Sequence, residues 1–175
     1  MSEDTERGTA TGRVPTIDDF PESGTNALAT TTQRAWARVL DTLIVLFVAL
    51  AVLNSIPLDF GDPSEDTRIF LVLAALWVLV SAVYDTVLVA TIGTTLGKFV
   101  LGTRIARFTD GAKPTWGQAA LRGLLPVVPV AALATLAAPV FWLFGTGGVY
   151  LSALANPFGR GWHDLAAGSV VIRTR

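Results

Sequence analysis

The sequence predicts an all-α polytopic membrane protein, a small helical bundle of three to four transmembrane segments. The chain has 175 residues, of which 51% are hydrophobic and only 15% charged, whereas soluble domains carry about 25% charged residues. Its apolar residues are concentrated in long runs, a pattern typical of helices that cross a bilayer. Composition and run length together therefore assign most of the chain to a membrane.

The first two apolar runs each predict one transmembrane helix. Residues 39–56 form the first run, which ends before Pro57, and the threonines at 30–32 upstream are candidate N-cap residues. Residues 69–92 form the second run, with Asp85 as its only charged residue. Both runs are long enough to cross a hydrocarbon core of about 30 Å.

The third apolar region is too long for one ordinary span. Residues 123–159 contain no charged side chain, and one helix of that length would extend about 55 Å. Prolines and glycines interrupt the region, notably between residues 139 and 148. We therefore expect residues 123–155 to form either one long helix or two short ones.

The charged residues outside the spans predict the orientation. The loop between the first two spans is acidic, whereas the loop at 93–122 is basic and the C-terminal segment carries Arg160, Arg173 and Arg175. By the positive-inside rule the N-terminus, the basic loop and the C-terminus are cytoplasmic. If both termini are cytoplasmic, the chain crosses the membrane an even number of times. This favours a hairpin for residues 123–155.

Two further segments are predicted outside the spans. Residues 103–108 and 169–174 are short and β-prone, and Asp110-Gly111 is a turn dipeptide, so we expect a small cytoplasmic β-hairpin or strand pair. Residues 1–33 are polar, acidic and without an apolar run, which predicts a disordered N-terminal tail. The membrane domain then covers residues 34–172.

Composition also excludes several classes of function. The net charge of −1 gives no reason to expect nucleic-acid binding, and the absence of cysteine excludes disulfides and thiol catalysis. One histidine and scattered carboxylates predict neither a metal site nor a cofactor. No nucleophile stands at motif spacing to a base, so we do not expect an enzyme.

The first span begins with a stripe of ionisable residues. Arg34, Arg38 and Asp41 share one helix face that continues through Val45, Val48 and Val52. A carboxylate in a membrane normally faces a partner or water. Arg38, one turn away, is the expected partner of Asp41. Alternatively, Arg38 extends to lipid phosphate and Asp41 is neutralised locally.

A second carboxylate within a span falls at a similar depth to Asp41. Asp85 lies about 12 Å from the end of the second span, in the same leaflet as Asp41. Two carboxylates and an arginine at this depth form either a cation or proton site or a structural clamp between helices.

Residues 93–98 resemble a phosphate-binding loop but lack its glycine spacing. We instead expect a tight exit from the second span, with Lys98 at lipid phosphates.

The ordered set of motifs resembles the RDD family of bacterial membrane proteins, over about residues 34–172. It comprises Arg34, Arg38, Asp41, Tyr84, residues 93–98, Gly102, Asp110-Gly111, Arg122, His163-Asp164 and Gly168. The resemblance implies that Arg38, Asp41 and Asp164 are the arginine and aspartates that name the family. It also implies the bacterial plasma membrane. Asp85 matches no family position, and Asp164 is expected to cap a turn or pair with an arginine.

Two functions are compatible with these residues. The first is an accessory or assembly subunit whose partners are the lipid bilayer and other membrane proteins. The second is a homo-oligomeric ion-coupled transporter or channel subunit, with cation or proton exchange at Arg38 and Asp41. Arg34, Asp85, Lys98, Arg122 and His163 are secondary candidates in either case.

Overall fold

The computed structural model describes residues 14–57, 59, 61–62, 66–127 and 147–175. The helices within these residues are α1 (Thr31–Leu53), α2 (Asp66–Ile92), α3 (Leu96–Val100), α4 (Trp116–Leu124), α5 (Gly147–Leu151) and α6 (Trp162–Ala166). The strands are β1 (Thr103–Arg107) and β2 (Ser169–Arg173), and short 3-10 turns lie at Ile17–Asp19 and Ser152–Ala155.

The two long helices match the first two predicted spans. Thr30 is the N-cap of α1, where its side chain accepts a hydrogen bond from the Gln33 backbone N–H, so one of the three candidate caps is confirmed. Both α1 and α2 are long and apolar enough to cross a membrane. The third predicted span, 123–155, lies mostly outside the described residues, because only its two ends belong to them.

Large apolar side chains cover the outer surfaces of α1 and α2. Phe47 and Leu79 are exposed, as expected for helices whose solvent is lipid. The buried stripe of α1 follows every fourth residue, namely Asp41, Val45, Ala49 and Leu53. Val48 and Val52, which continue the predicted stripe of ionisable residues, are exposed.

β1 and β2 form the predicted strand pair. They are antiparallel, with Thr103 opposite Arg173 and Arg107 opposite Ser169. Successive side chains point to opposite faces of a strand, and both faces of this pair are covered. One face packs on the end of α2 and on α4 through Val89, Ala90, Ile105, Ala119 and Val171. The other face holds Ala106, Phe108, Val170 and Ile172.

The prediction of a disordered tail over residues 1–33 does not hold for the later part of that range. Ala29 donates its N–H to the Val171 carbonyl oxygen, and Leu28 forms a bridge with Ile172. Phe20 and Leu28 also pack against the second face of the sheet. Apolar residues are few in this polar stretch, so composition gives little sign that these are buried. Residues 1–13 lie outside the described part.

Candidate functional site

The ionisable residues singled out in the sequence converge where α1, α2, α3, α4 and α6 meet. Buried members of this group are Asp41, Asp85, Lys98, Arg122, His163 and Asp164. Arg34 and Arg38 lie at its edge and are half-buried. The residues come from distant parts of the sequence, so the fold rather than local spacing creates the cluster.

Asp41 has more hydrogen-bond donors around it than the other carboxylates of the cluster, within the described residues. Its Oδ1 accepts from the Tyr84 hydroxyl at 2.7 Å and from the Gly97 N–H at 2.8 Å. Its Oδ2 accepts from Thr95 Oγ1 at 2.6 Å and lies 3.5 Å from Lys98 Nζ. Four donors from α2 and from the segment around α3 therefore hold one buried carboxylate of α1.

Gly97 makes this arrangement possible. A Cβ at Gly97 would overlap the Ala37 carbonyl oxygen and lie 2.9 Å from Asp41 Oδ1. Gly93 has a φ of 75°, a conformation that favours glycine, so the chain leaves α2 by a tight turn as predicted. The 93–98 segment thus folds back onto α1 and caps Asp41.

Arg38 pairs with Asp85 rather than with Asp41. Its NH1 lies 3.2 Å from Asp85 Oδ2, across the interface between α1 and α2. The guanidinium also lies over the Tyr150 ring, 4.5 Å from the ring centroid, in a cation–π contact. The predicted Arg38–Asp41 partnership is therefore wrong, because α2 and α3 supply closer partners to both residues.

Lys98 likewise does not extend to lipid phosphate. Its side chain is buried, and Nζ lies within 3.5 Å of Asp41 and 3.2 Å of Thr95 Oγ1. The expectation of an interfacial anchor is wrong because α3 turns its Lys98 face toward α1. The sequence contains no signal that distinguishes the two orientations of such a short helix.

Arg122 and Asp164 form the third ion pair. Arg122 Nε donates to Asp164 Oδ1 at 2.8 Å, and Ser169 Oγ donates to the same oxygen at 2.9 Å. This confirms the expected pairing of Asp164 with an arginine. Burial would raise the pKa of Asp164, but the positive charge of Arg122 and the hydrogen bonds from Arg122 and Ser169 hold that pKa well below its usual range.

His163 is a neutral member of the cluster near pH 7. Its Nε2 lies 3.4 Å from Asp164 Oδ2 and 3.4 Å from Arg122 NH2. Burial lowers the pKa of His163 to about 4, against the opposing attraction of Asp164. Its Nδ1 is buried and has no hydrogen-bond partner among the described residues.

Arg34 is held by backbone carbonyl groups. Its guanidinium donates to the carbonyl oxygens of Ala29, Phe158, Gly159 and Val171, at 2.9 Å to Ala29 and 3.1 Å to Phe158 and Val171. Among the described residues it forms no ion pair with a carboxylate. Arg34 thus joins the start of α1 to β2 and to the segment before α6.

A cavity of 810 Å³ adjoins the cluster. Its lining includes the side chains of Arg34, Arg38, Lys98, Arg122, His163 and Asp164, and also apolar residues of α1 and α5. No group of three or more histidine and carboxylate side chains suited to a metal ion occurs within the described ranges.

Several members of the cluster were not singled out as functional by sequence reasoning. Tyr84 and Thr95 belong to the motifs quoted above, but only the fold reveals that both donate to Asp41. Tyr150 and Ser169 carry no such signal, because an aromatic residue in an apolar run and a serine before a strand are common.

Comparison with known proteins decides the family. The RDD family model matches residues 28–168, which include every charged residue of the cluster. The chain belongs to the RDD family. No match was found among curated proteins or among solved structures. RDD proteins are membrane-associated, and the two long apolar helices of this member agree with that location.

Proposed function

We propose that this RDD protein is an accessory or assembly subunit of a membrane protein complex, without chemistry of its own. The observation that carries the proposal is the pairing of the buried charges. Asp41, Asp85 and Asp164 each have a cationic partner within 3.5 Å. Carboxylates held in this way join helices to one another, and they are poorly placed to bind and release ions.

The three pairs connect different elements of the fold. Arg38–Asp85 joins α1 to α2, Asp41–Lys98 joins α1 to α3, and Arg122–Asp164 joins α4 to α6. Removing one partner of a buried pair typically destabilises a protein by about 3–5 kcal/mol, because the other charge stays buried and unpaired. The cluster therefore acts as a clamp that holds the intracellular ends of the helices.

The surface of α2 is suited to a protein partner. Residues 66–80 include no buried side chain, and the small residue Ala75 is exposed among large apolar neighbours. Small residues let helices approach closely in a membrane. We infer that a helix of another membrane protein packs on this half of α2.

The proposed location is the bacterial plasma membrane with both termini in the cytoplasm. The strand pair supports this orientation, because β2 near the C-terminus lies beside β1 in the basic 93–122 segment. Arg122 and Tyr150, which flank the undescribed residues 128–146, also adjoin the same cluster. We infer that Arg122 and Tyr150 lie on the same side of the membrane.

Purification of the tagged protein from its native membrane in mild detergent tests the proposal. We expect a heteromeric complex with a stoichiometric partner, identified by its mass and composition. Ala75→Trp should release the partner by blocking the α2 surface, whereas Ala51→Trp, at an exposed position of α1, should retain it. A clean homo-oligomer, or a lone monomer, would contradict an accessory role.

One observation favours a second candidate, a homo-oligomeric cation or proton exchanger that uses Arg38 and Asp41. Asp85 Oδ1 is buried without a hydrogen-bond partner among the described residues. It adjoins a 10 Å³ cavity lined also by Arg38, Asp41 and Ser81, which is about enough space for one water molecule. A carboxylate oxygen in such a place is a potential proton acceptor.

Proton flux in reconstituted vesicles tests the second candidate. Asp41→Asn and Asp85→Asn should each abolish cation-dependent flux, and Asp110→Asn, in an exposed turn, should leave it unchanged. Unchanged flux in Asp41→Asn and Asp85→Asn, or no flux in the unmodified protein, would exclude this function.

A further inference from the structure

We propose that the 810 Å³ cavity beside the charged cluster binds an anionic phospholipid, with the phosphodiester of its head group at Arg34. This binding site would exist whether the protein is an accessory subunit or an exchanger. The cavity volume falls within the range of about 300–1,000 Å³ that is typical of small-molecule sites.

The charges around the cavity favour an anion. Four cations line it, namely Arg34, Arg38, Lys98 and Arg122. The last three are matched by Asp85, Asp41 and Asp164, so 4 − 3 leaves one positive charge in excess. That excess is the guanidinium of Arg34, whose described partners are backbone carbonyl oxygens.

An excess positive charge at this place is costly without a counter-ion. Carbonyl dipoles lower the free energy of a guanidinium, but they do not neutralise it in a region of low dielectric. A phosphodiester carries one negative charge. Four of the five N–H groups of Arg34 donate to carbonyl oxygens, and the fifth, on NH1, can donate to one phosphodiester oxygen. One bound phosphodiester would therefore neutralise the cluster as a whole.

The remaining walls of the cavity favour a lipid over a soluble anion. Val39 and Leu43 of α1 and Leu151 and Leu154 from the region of α5 line it, and all four side chains are exposed. A soluble phosphate would make no contact with these apolar walls. Acyl chains that extend from a bound head group would cover them.

The depth of the cavity agrees with the level of lipid head groups. Trp36, in the second turn of α1, and Trp162, next to His163, are both exposed. Exposed tryptophans are enriched at the boundary between hydrocarbon and water. They lie within two residues of the cavity-lining Arg34, Arg38 and His163, which places these three residues at this boundary.

Native mass spectrometry of the full-length protein with defined lipids tests the proposal. The probes are phosphatidylglycerol and phosphatidylcholine with identical acyl chains. We expect the protein to retain phosphatidylglycerol about tenfold more strongly. Arg34→Gln should reduce its retention to that of phosphatidylcholine, whereas the exposed Arg175→Gln should leave the preference intact. Equal retention of the two lipids by the unmodified protein would overturn the proposal.

A second pair of variants covers the case in which Arg34→Gln fails to fold. Ala35→Trp places a bulky side chain in the cavity and removes no hydrogen bond, and Ala51→Trp makes the same change on α1 away from the cavity. Only the first should lower the retention of phosphatidylglycerol. Equal retention by both variants, or displacement of the lipid by glycerol phosphate at equal concentration, would overturn a lipid site.

Discussion

Gly97 determines how closely α3 can approach α1. Its N–H donates to Asp41 Oδ1, and a Cβ would overlap the Ala37 carbonyl oxygen. We expect Gly97→Ala to destabilise the protein by about 1–3 kcal/mol. Gly117 lies in α4 with no atom near its Cβ position, so Gly117→Ala should be neutral or stabilise by up to about 1 kcal/mol. Equal thermal unfolding midpoints of the two variants in detergent would contradict this role of Gly97.

The lowered pKa of His163 predicts how the free energy of unfolding depends on pH. Its pKa falls from 6.5 in the unfolded chain to about 4 in the folded protein, so the unfolded chain binds more protons between these values. The free energy of unfolding should therefore decrease as the pH falls from 6.5 toward 4, by about 1 kcal/mol per unit. Above pH 6.5 this contribution is fully present.

The chain contains one histidine, which makes this dependence easy to assign. Thermal unfolding is measured from pH 7.5 to 5.5, above the range in which ordinary carboxylates titrate. His163→Gln should remove the decrease seen in the unmodified protein, whatever its own stability at pH 7.5. A decrease of the same size in both proteins would show that another group titrates.

At the scale of elements, the sequence predicts the helices, caps and strands that depend on a local pattern of residues. Hydropathy predicted α1 and α2, the cap at Thr30 was among three candidates, and the β-prone residues 103–108 and 169–174 do pair. The partners of Arg38 could not be predicted in this way. They depend on the rotation of α1 against α2, and a helix stripe indicates only which residues share a face.

The segment before α1 illustrates the same limit. Phe20 is surrounded by polar residues in the sequence, yet its ring lies 6.3 Å from that of Phe108 and 5.9 Å from that of Phe158. Low average hydrophobicity predicts disorder, but it does not exclude that a few apolar residues pack on a sheet formed elsewhere. The sheet itself becomes complete only when β2, near the C-terminus, pairs with β1.

This packing predicts that Phe20 contributes to the stability of the sheet. Phe20→Ala should destabilise the protein by about 1–3 kcal/mol, less than for a fully buried ring because Phe20 is half-buried. Amide hydrogens of β2 should then exchange faster. Ile17→Ala, in the exposed turn nearby, is the control and should change neither property. Unaltered exchange in Phe20→Ala would show that the segment does not hold the sheet.

At the scale of the whole molecule, polar and apolar parts are separated along the helices. The three buried ion pairs and the strand pair lie together at one end, where α1 begins and α2 ends. The opposite end, after α1 and before α2, carries the acidic loop. The membrane domain therefore has one well-packed polar end, and the positive-inside rule predicts that this end is cytoplasmic.

Cysteine labelling tests this orientation, and the absence of native cysteine gives a clean background. Val14→Cys and Arg175→Cys lie at exposed positions of the polar end, whereas Gly61→Cys lies in the acidic loop. In intact cells a membrane-impermeant maleimide should label only Gly61→Cys, because the bilayer shields the cytoplasmic sites. In inverted vesicles it should label Val14→Cys and Arg175→Cys instead. Labelling of Arg175→Cys together with Gly61→Cys in intact cells would require an odd number of crossings after α2 and would separate β2 from β1.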